Sequence, residues 1–391
     1  MENESFTEVS SQSWFSRIGD AIKGILFGLV LFAVSFVVLF WNEGRAVKTA
    51  KSLKEGASGV VSVDPGKLDS RNEGKLVHFT GLATTTETLS DPQFGISINA
   101  IRLQRQVQMY QWQQKEESRK QKKLGGSEET IKTYSYSQGW SGEAIDSSKF
   151  KTTEGHANPS KPLNDLAPVA QTVTVGEFRL SPALVGQIKG TEPMPPPADK
   201  PAGLGPEFQK TASGYYRGSD PGKPQIGDLR IDFTIVRPQT VSIVAQQAGN
   251  GLRGYVTKAG RTLEMLACGP HSSAEMFTVA QKENSTMTWI LRLVGFLVMW
   301  AGLALILNPL KVIADVVPFI GDIIGMGIGL LTVLIALPLS LLTIAIAWIF
   351  YRPLLGIALL ALAGVAVFML VKRMKKNSSP QTAGAPKVTQ L

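Results

Sequence analysis

The chain has 391 residues, with 40 Lys and Arg against 31 Asp and Glu, a net charge of +9. Its lone cysteine, Cys268, excludes an intramolecular disulfide and a thiolate metal site within one chain. The mean hydropathy is near zero because a polar central block averages against apolar stretches of Leu, Ile, Val, Ala and Gly.

Residues 1–12 are polar and read as a disordered tail. Ser13–Lys23 carries Trp14, Phe15, Ile18 and Ile22 at helical spacing. That fits either a short amphipathic helix on a membrane surface or an extension of the helix that follows, and it closes the N-terminal segment 1–23. Residues 24–42 contain no charge and are long enough to cross a bilayer's hydrocarbon core. In lipid such a run satisfies its backbone groups as a helix. It is too long for a signal-peptide core, and no small-residue cleavage site follows, so it reads as a retained anchor. Asn42–Leu53 predicts a basic helix broken by Gly56 and Gly59, with a strand over 59–63.

The polar block 43–288 is β-rich by pattern. In Ile101–Met109 the residues Ile101, Leu103, Val107 and Met109 share one face, and Arg102, Gln104, Gln106 and Gln108 the other, which is the alternation of a half-buried strand. Ile131–Trp140 alternates as well, and the charged stretch Lys115–Glu129 between them predicts a long exposed hairpin tip. Further strands are expected at 75–84, 171–180, 229–236, 240–246 and 262–267. The Pro- and Gly-rich stretch 191–206 predicts an irregular loop. Ser272–Gln281 reads as a helix leading into the second apolar run.

Three more membrane helices follow, over 289–310, 323–351 and 352–371. Asn308-Pro309 is expected to end the first of them. Pro338, with Gly325, Gly327 and Gly329, predicts a tilted or kinked second. Arg352-Pro353 predicts a tight turn into the last. The tail 372–391 opens on Lys372, Arg373, Lys375 and Lys376, a stop-transfer and anionic-lipid signal, so the basic excess is not a nucleic-acid footprint. The fold class is therefore a multi-pass α-helical membrane protein, one plus three helices, with a large inserted β-rich (α+β) soluble domain.

Charge alone leaves the orientation open. Arg17, Lys23, Lys311 and the C-terminal cluster on one side balance Arg45, Lys48, Lys51, Lys54, Lys282, Arg292 and Arg352 on the other. The density of the C-terminal cluster favours cytoplasmic termini and an extracytoplasmic domain.

No P-loop, dinucleotide-binding fingerprint, HExxH or GxSxG occurs, and His78, His156 and His271 are spaced too widely for a zinc site, so no cofactor, metal ligand or catalytic residue is expected. Gly44, Gly74, Gly95 and Gly227 sit beside acidic or turn residues and read as turn glycines. Asn308, Asp315, Asp322 and Ser340 are the candidate intramembrane polar residues, with Arg352 beside them. Charge inside a bilayer is costly and tends to be functional, whereas a solvated interfacial loop beside Lys311 is the bland reading of the two aspartates.

Several segments together resemble the transmembrane protein 43 (LUMA) family. They include Asn42, Glu43, Gly44 and Arg45 directly after a membrane helix, Asn72, Glu73 and Gly74, Asp91–Gly95, and Arg102 through Tyr110 and Trp112. Glu116–Arg119, Tyr134–Tyr136, Asn158–Ser160, Ile226–Arg230 with Asp228, and Trp348–Leu354 with Tyr351, Arg352 and Pro353 continue the series. The resemblance implies an integral membrane scaffold with its large domain on the lumenal side, which self-associates and binds other membrane proteins. It implies residence in the endoplasmic reticulum and inner nuclear membrane for a eukaryotic member, or the inner (plasma) membrane for a bacterial one; the bacterial source is the expectation. The partners it implies are the lipid bilayer, further copies of the chain and other membrane proteins, and no nucleic acid. The alternative function is an intramembrane lipid-modifying or lipid-handling enzyme built on the polar residues of the C-terminal helices.

Overall fold

The structure, a computed structural model, describes residues 5–354, the side chain of Pro318 excepted. Beyond Leu354, the fourth apolar run and the basic tail lie outside the described residues. The chain is mixed α and β and divides into two compact units. One comprises Met1–Lys23, Lys48–Thr286 and Asn308–Met326, and the other Gly24–Val47, Met287–Leu307 and the chain from Gly327 onward.

Three described helices are long and apolar enough to cross a membrane. They are α1 (Trp14–Gly59), α2 (Ser273–Ala314) and α3 (Pro318–Tyr351). Helix α1 starts where the Ser13 side chain accepts from Ser16 N–H and continues for 46 residues, about 69 Å. The segment 13–23 is thus an extension of the anchor, and the basic helix after it is the same helix again. Asn42-Glu43-Gly44 is consequently not a turn: it lies inside α1, which runs through Gly44 despite glycine's low helix propensity. Helix α2 opens on a capping box between Ser272 and Glu275. It runs through Pro309 to Ala314, so Asn308-Pro309 does not end it, and α3 likewise runs on through Pro338. Proline is tolerated in membrane helices where the freed backbone group finds another partner.

In the helical unit, α1 and α2 pass at glycines. A Cβ on Gly28 would lie 2.8 Å from the Gly302 carbonyl oxygen, and one on Gly295 would lie 2.5 Å from Leu39 Cδ2. Small residues let membrane helices approach closely enough for dispersion to hold them. Leu39, Met299 and Ala336 form the fully buried centre of this packing.

The other unit holds the sheets. Its principal strands are β1 (Ser5–Gln12), β2 (Leu76–Thr84), β3 (Arg102–Lys122), β4 (Glu128–Ser141), β5 (Leu229–Val236) and β6 (Gln239–Ala248). One antiparallel sheet runs β1, β4, β3, β5, then Gly214–Arg217 and Phe208–Lys210. Leu103, Val107 and Met109 of β3 point into its core with Leu229, Ile231 and Phe233 of β5, as the alternation requires. In the second sheet β2 pairs antiparallel with β6. Short strands at Gly251–Arg253, Phe178–Arg179 and Thr174–Val175 lead from β6 back to β2, closing a ring. Phe79 and Phe178 stack in its interior with centroids 4.6 Å apart.

Four further expectations are corrected. Residues 5–12 are not disordered but form β1, paired with β4 from Ser5↔Ser135 to Gln12↔Glu128; Phe6, Thr7 and Val9 suit an added edge strand. The hairpin tip is not Lys115–Glu129, because cross-strand charge pairs such as Lys132–Glu116 at 2.8 Å keep β3 and β4 together as far as Lys122 and Glu128. The stretch 171–180 is two short strands around Gly176, whose φ of +57° only glycine adopts freely. The stretch 262–267 is likewise broken, into Thr262–Leu263 and Met265–Cys268.

Candidate functional site: two buried ion-pair clusters

Within the helical unit the Asn42–Arg45 and Trp348–Tyr351 segments meet. Glu43 has no exposed surface, and its carboxylate accepts from Arg292 Nε at 2.7 Å, Arg292 Nη2 at 3.0 Å and Trp348 Nε1 at 2.7 Å. Arg292 in turn faces two indoles, Trp289 at 4.6 Å and Trp348 at 5.5 Å. A bidentate carboxylate pair flanked by aromatic faces is an arrangement that guanidinium, not ammonium, satisfies. Asn42 donates to the Thr288 carbonyl at 3.0 Å, and Arg45 Nη2 donates to Thr288 Oγ1 at 2.9 Å. Gly44 gives Tyr351 its place, since a Cβ there would sit 2.6 Å from the Tyr351 ring. The group ties all three helices together.

A second cluster belongs to the β-bearing unit. Asp315, also without exposed surface, accepts from Arg17 Nη2 at 2.6 Å and Lys122 Nζ at 2.7 Å. Lys122 also reaches the exposed Asp322 at 2.7 Å. Burial pulls the Lys122 ammonium's pKa down, but the bonds to the two aspartates outweigh it and the net shift is upward. Arg17 further bonds the Gly126 carbonyl, Trp14 Nε1 bonds the Val312 carbonyl, and Gly125 N–H bonds the Val316 carbonyl. The tip of the β3–β4 hairpin is thereby fastened to the first turn of α1 and to the connection between α2 and α3. The sequence assigns Arg17 and that connection to one side of the membrane and the polar block to the other. The ion pairs put at least the hairpin tip on the side of Arg17.

Of the candidate polar residues, Asp315 and Asp322 are thus brought together on Lys122. Ser340 donates instead to the Met299 thioether at 3.3 Å, and Asn308 is half-buried along α2. Arg352 and Pro353 stand at the end of the described chain, Arg352 N–H bonding the Trp348 carbonyl. The remaining family positions serve the sheets. Asn72, Glu73 and Gly74 form a true turn, with Gly74 at φ +74° and Glu73 accepting from Gly249 N–H. Arg102 opens β3. Tyr110 exchanges backbone bonds with Gly227 and Asp228, and the Trp112 backbone is read by the Asn158 side chain. Asp228 accepts from Tyr216, whose phenol is pushed well above its usual range by burial and by that carboxylate.

Sequence reasoning missed Arg292, Arg17, Lys122 and Arg105. Arg105 had a signal: it stands at an inward position of β3, between Leu103 and Val107, and a charge there must be paired. It is bonded to the buried Asp91 at 2.8 Å, with Phe94 beneath its guanidinium. Among the described residues, no group of three or more His, Cys, Asp or Glu is placed to hold a metal ion.

A family model for transmembrane protein 43 matches residues 109–353. The chain belongs to the transmembrane protein 43 family. It is 34% identical to transmembrane protein 43 of Rattus norvegicus over 95% of this chain and 96% of that one. The Homo sapiens protein is also 34% identical, over 94% of each chain. The Drosophila melanogaster homologue is 30% identical over 89% of this chain and 94% of its own. No solved structure matches. With three membrane-length helices and these relatives, the chain is an integral membrane protein.

Proposed function

We propose that this family member is a scaffold in its membrane, self-associating and binding other membrane proteins through its β-rich domain. The reading keeps the body of the domain extracytoplasmic, facing the periplasm of a bacterial inner membrane or the lumen of the endoplasmic reticulum and inner nuclear membrane, while the hairpin tip bonded to Arg17 lies with the N-terminal turn. The observation that carries it is the state of the buried carboxylates. Glu43 and Asp315 are both fully buried, and each is bonded to an arginine and a second donor. A catalytic carboxylate needs access for substrate and freedom to exchange a proton. These two are closed in and hold helices and hairpin in place, a structural use of charge that supports the scaffold reading.

Lipid handling has one observation in its favour. A groove of about 560 Å³ in the helical unit is lined by Phe36, Phe40, Trp41, Leu342, Ile346 and Tyr351. Purification in mild detergent, with mass measured by light scattering and co-purifying proteins identified, separates the readings. The scaffold predicts an oligomer with stoichiometric membrane-protein partners. A monomer that carries bound lipid and turns it over would overturn it.

A further inference from the structure

The tip of the β3–β4 hairpin presents Leu124 at 85% exposure, the residue beside the anchored Gly125 and Gly126. The turn is not loose. Lys123 N–H bonds the Ser127 carbonyl, Gly125 N–H bonds the Val316 carbonyl at 3.1 Å, and Trp14 lies so close over Gly126 that a Cβ there would be 2.4 Å from its ring. With both glycines at positive φ, this geometry aims one leucine outward from a fixed base.

What the base is fixed to locates the leucine. Val316 is seven residues before the charge-free run that starts at Ile323, about 10 Å of helix or less. Trp14 and Arg17 precede the run that starts at Gly24 by a similar span. The same elements of this unit expose further large apolar side chains, Phe15 at 77%, Phe319 at 74% and Ile320 at 48%. Lys23, Lys123 and Lys311 belong to the same three elements, the Lys311 stem packing along Gly325. Aromatic and leucine side chains with lysines beside them, next to membrane-length runs, are the composition of the headgroup boundary.

We propose that the hairpin tip is a membrane-interface anchor, with Leu124 entering the headgroup–acyl boundary beside Phe15 and Phe319. The partner is the lipid surface itself. Lys122, held between Asp315 and Asp322, acts as the positioning residue that keeps the turn at that level.

The test uses the full chain reconstituted in phosphatidylcholine and phosphatidylglycerol vesicles. An environment-sensitive thiol dye is attached at Leu124→Cys in a Cys268→Ser background, with Ser148→Cys as the comparison site on the domain. Lipids carrying a nitroxide near the glycerol should quench the dye at 124 at least about twofold more than at 148. Lys122→Gln should shrink that difference. Because Leu124 is exposed, its substitution leaves the fold intact, and labelling Phe319→Cys gives a second reading of the same surface. Efficient quenching at 124 by aqueous iodide, with none by nitroxide lipid, would overturn the assignment. Shielding from both quenchers would also overturn it, in favour of a protein partner at the tip.

Discussion

Glu43 joins the three described helices of the helical unit. Its carboxylate is bonded three times and sees no solvent, so removing its charge strands Arg292 between two indoles. Breaking one side of a buried pair costs about 3 kcal/mol or more. Glu43→Gln should therefore lower the thermal midpoint in detergent markedly, and adding Arg292→Gln should cost less than the sum of the two single changes. Additive effects would mean the pair is not energetically coupled. Gly44 acts through absence. Gly44→Ala puts a methyl 2.6 Å from the Tyr351 ring, and the displaced ring should cost about 1–3 kcal/mol; an unchanged melt would show that α3 can give way.

At the scale of elements, the hairpin and the N-terminal strand support one another. β1 pairs with β4 over its whole length. Deleting residues 1–12 should speed amide exchange at 128–135 in hydrogen-exchange measurements, and unchanged protection there would show that β1 contributes nothing to the ribbon. Lys122 links the hairpin to the helices with a definite pH signature. Its pKa is raised above the usual 10.5, so its contribution is complete below 10.5 and is lost as pH rises through the folded value. Lys122→Gln should thus be less stable than the parent at neutral pH by about 1–2 kcal/mol, the two converging in thermal melts as pH rises through that folded value. A constant gap across that range would assign the loss to packing rather than charge.

For the whole molecule the sharpest expectation concerns sidedness. Arg17 bonds both Asp315 and the Gly126 carbonyl, so the N-terminal turn and the hairpin tip share one aqueous face. Single cysteines at Ser11 and Ser127, in a Cys268→Ser background, should react with an impermeant thiol reagent from the same side of sealed vesicles. Labelling from opposite sides would break the link between hairpin and N-terminal turn. Counting flanking charges could not reach this result, because the two sides balance and the Arg17–Asp315 pair joins residues nearly 300 positions apart.

Membrane residence was legible in the sequence because the bilayer admits few solutions: a charge-free run of about 20 residues in lipid becomes a helix. The β-rich domain was legible from period-two alternation, which holds residue by residue from Arg102 to Gln111 of β3. Family membership was carried by segments such as Asn42–Arg45 and Trp348–Pro353, yet nothing local said that they touch, or that the first of two Asn-Glu-Gly triplets is helix and the second a turn. Helical context decides the one, and the Gly74 φ of +74° the other. The partners of Glu43, Asp91 and Asp315 came only from tertiary structure. A lone buried carboxylate is too costly to keep without a cation, but which arginine or lysine answers it depends on how helices and strands pack, and sequence distance carries no trace of that.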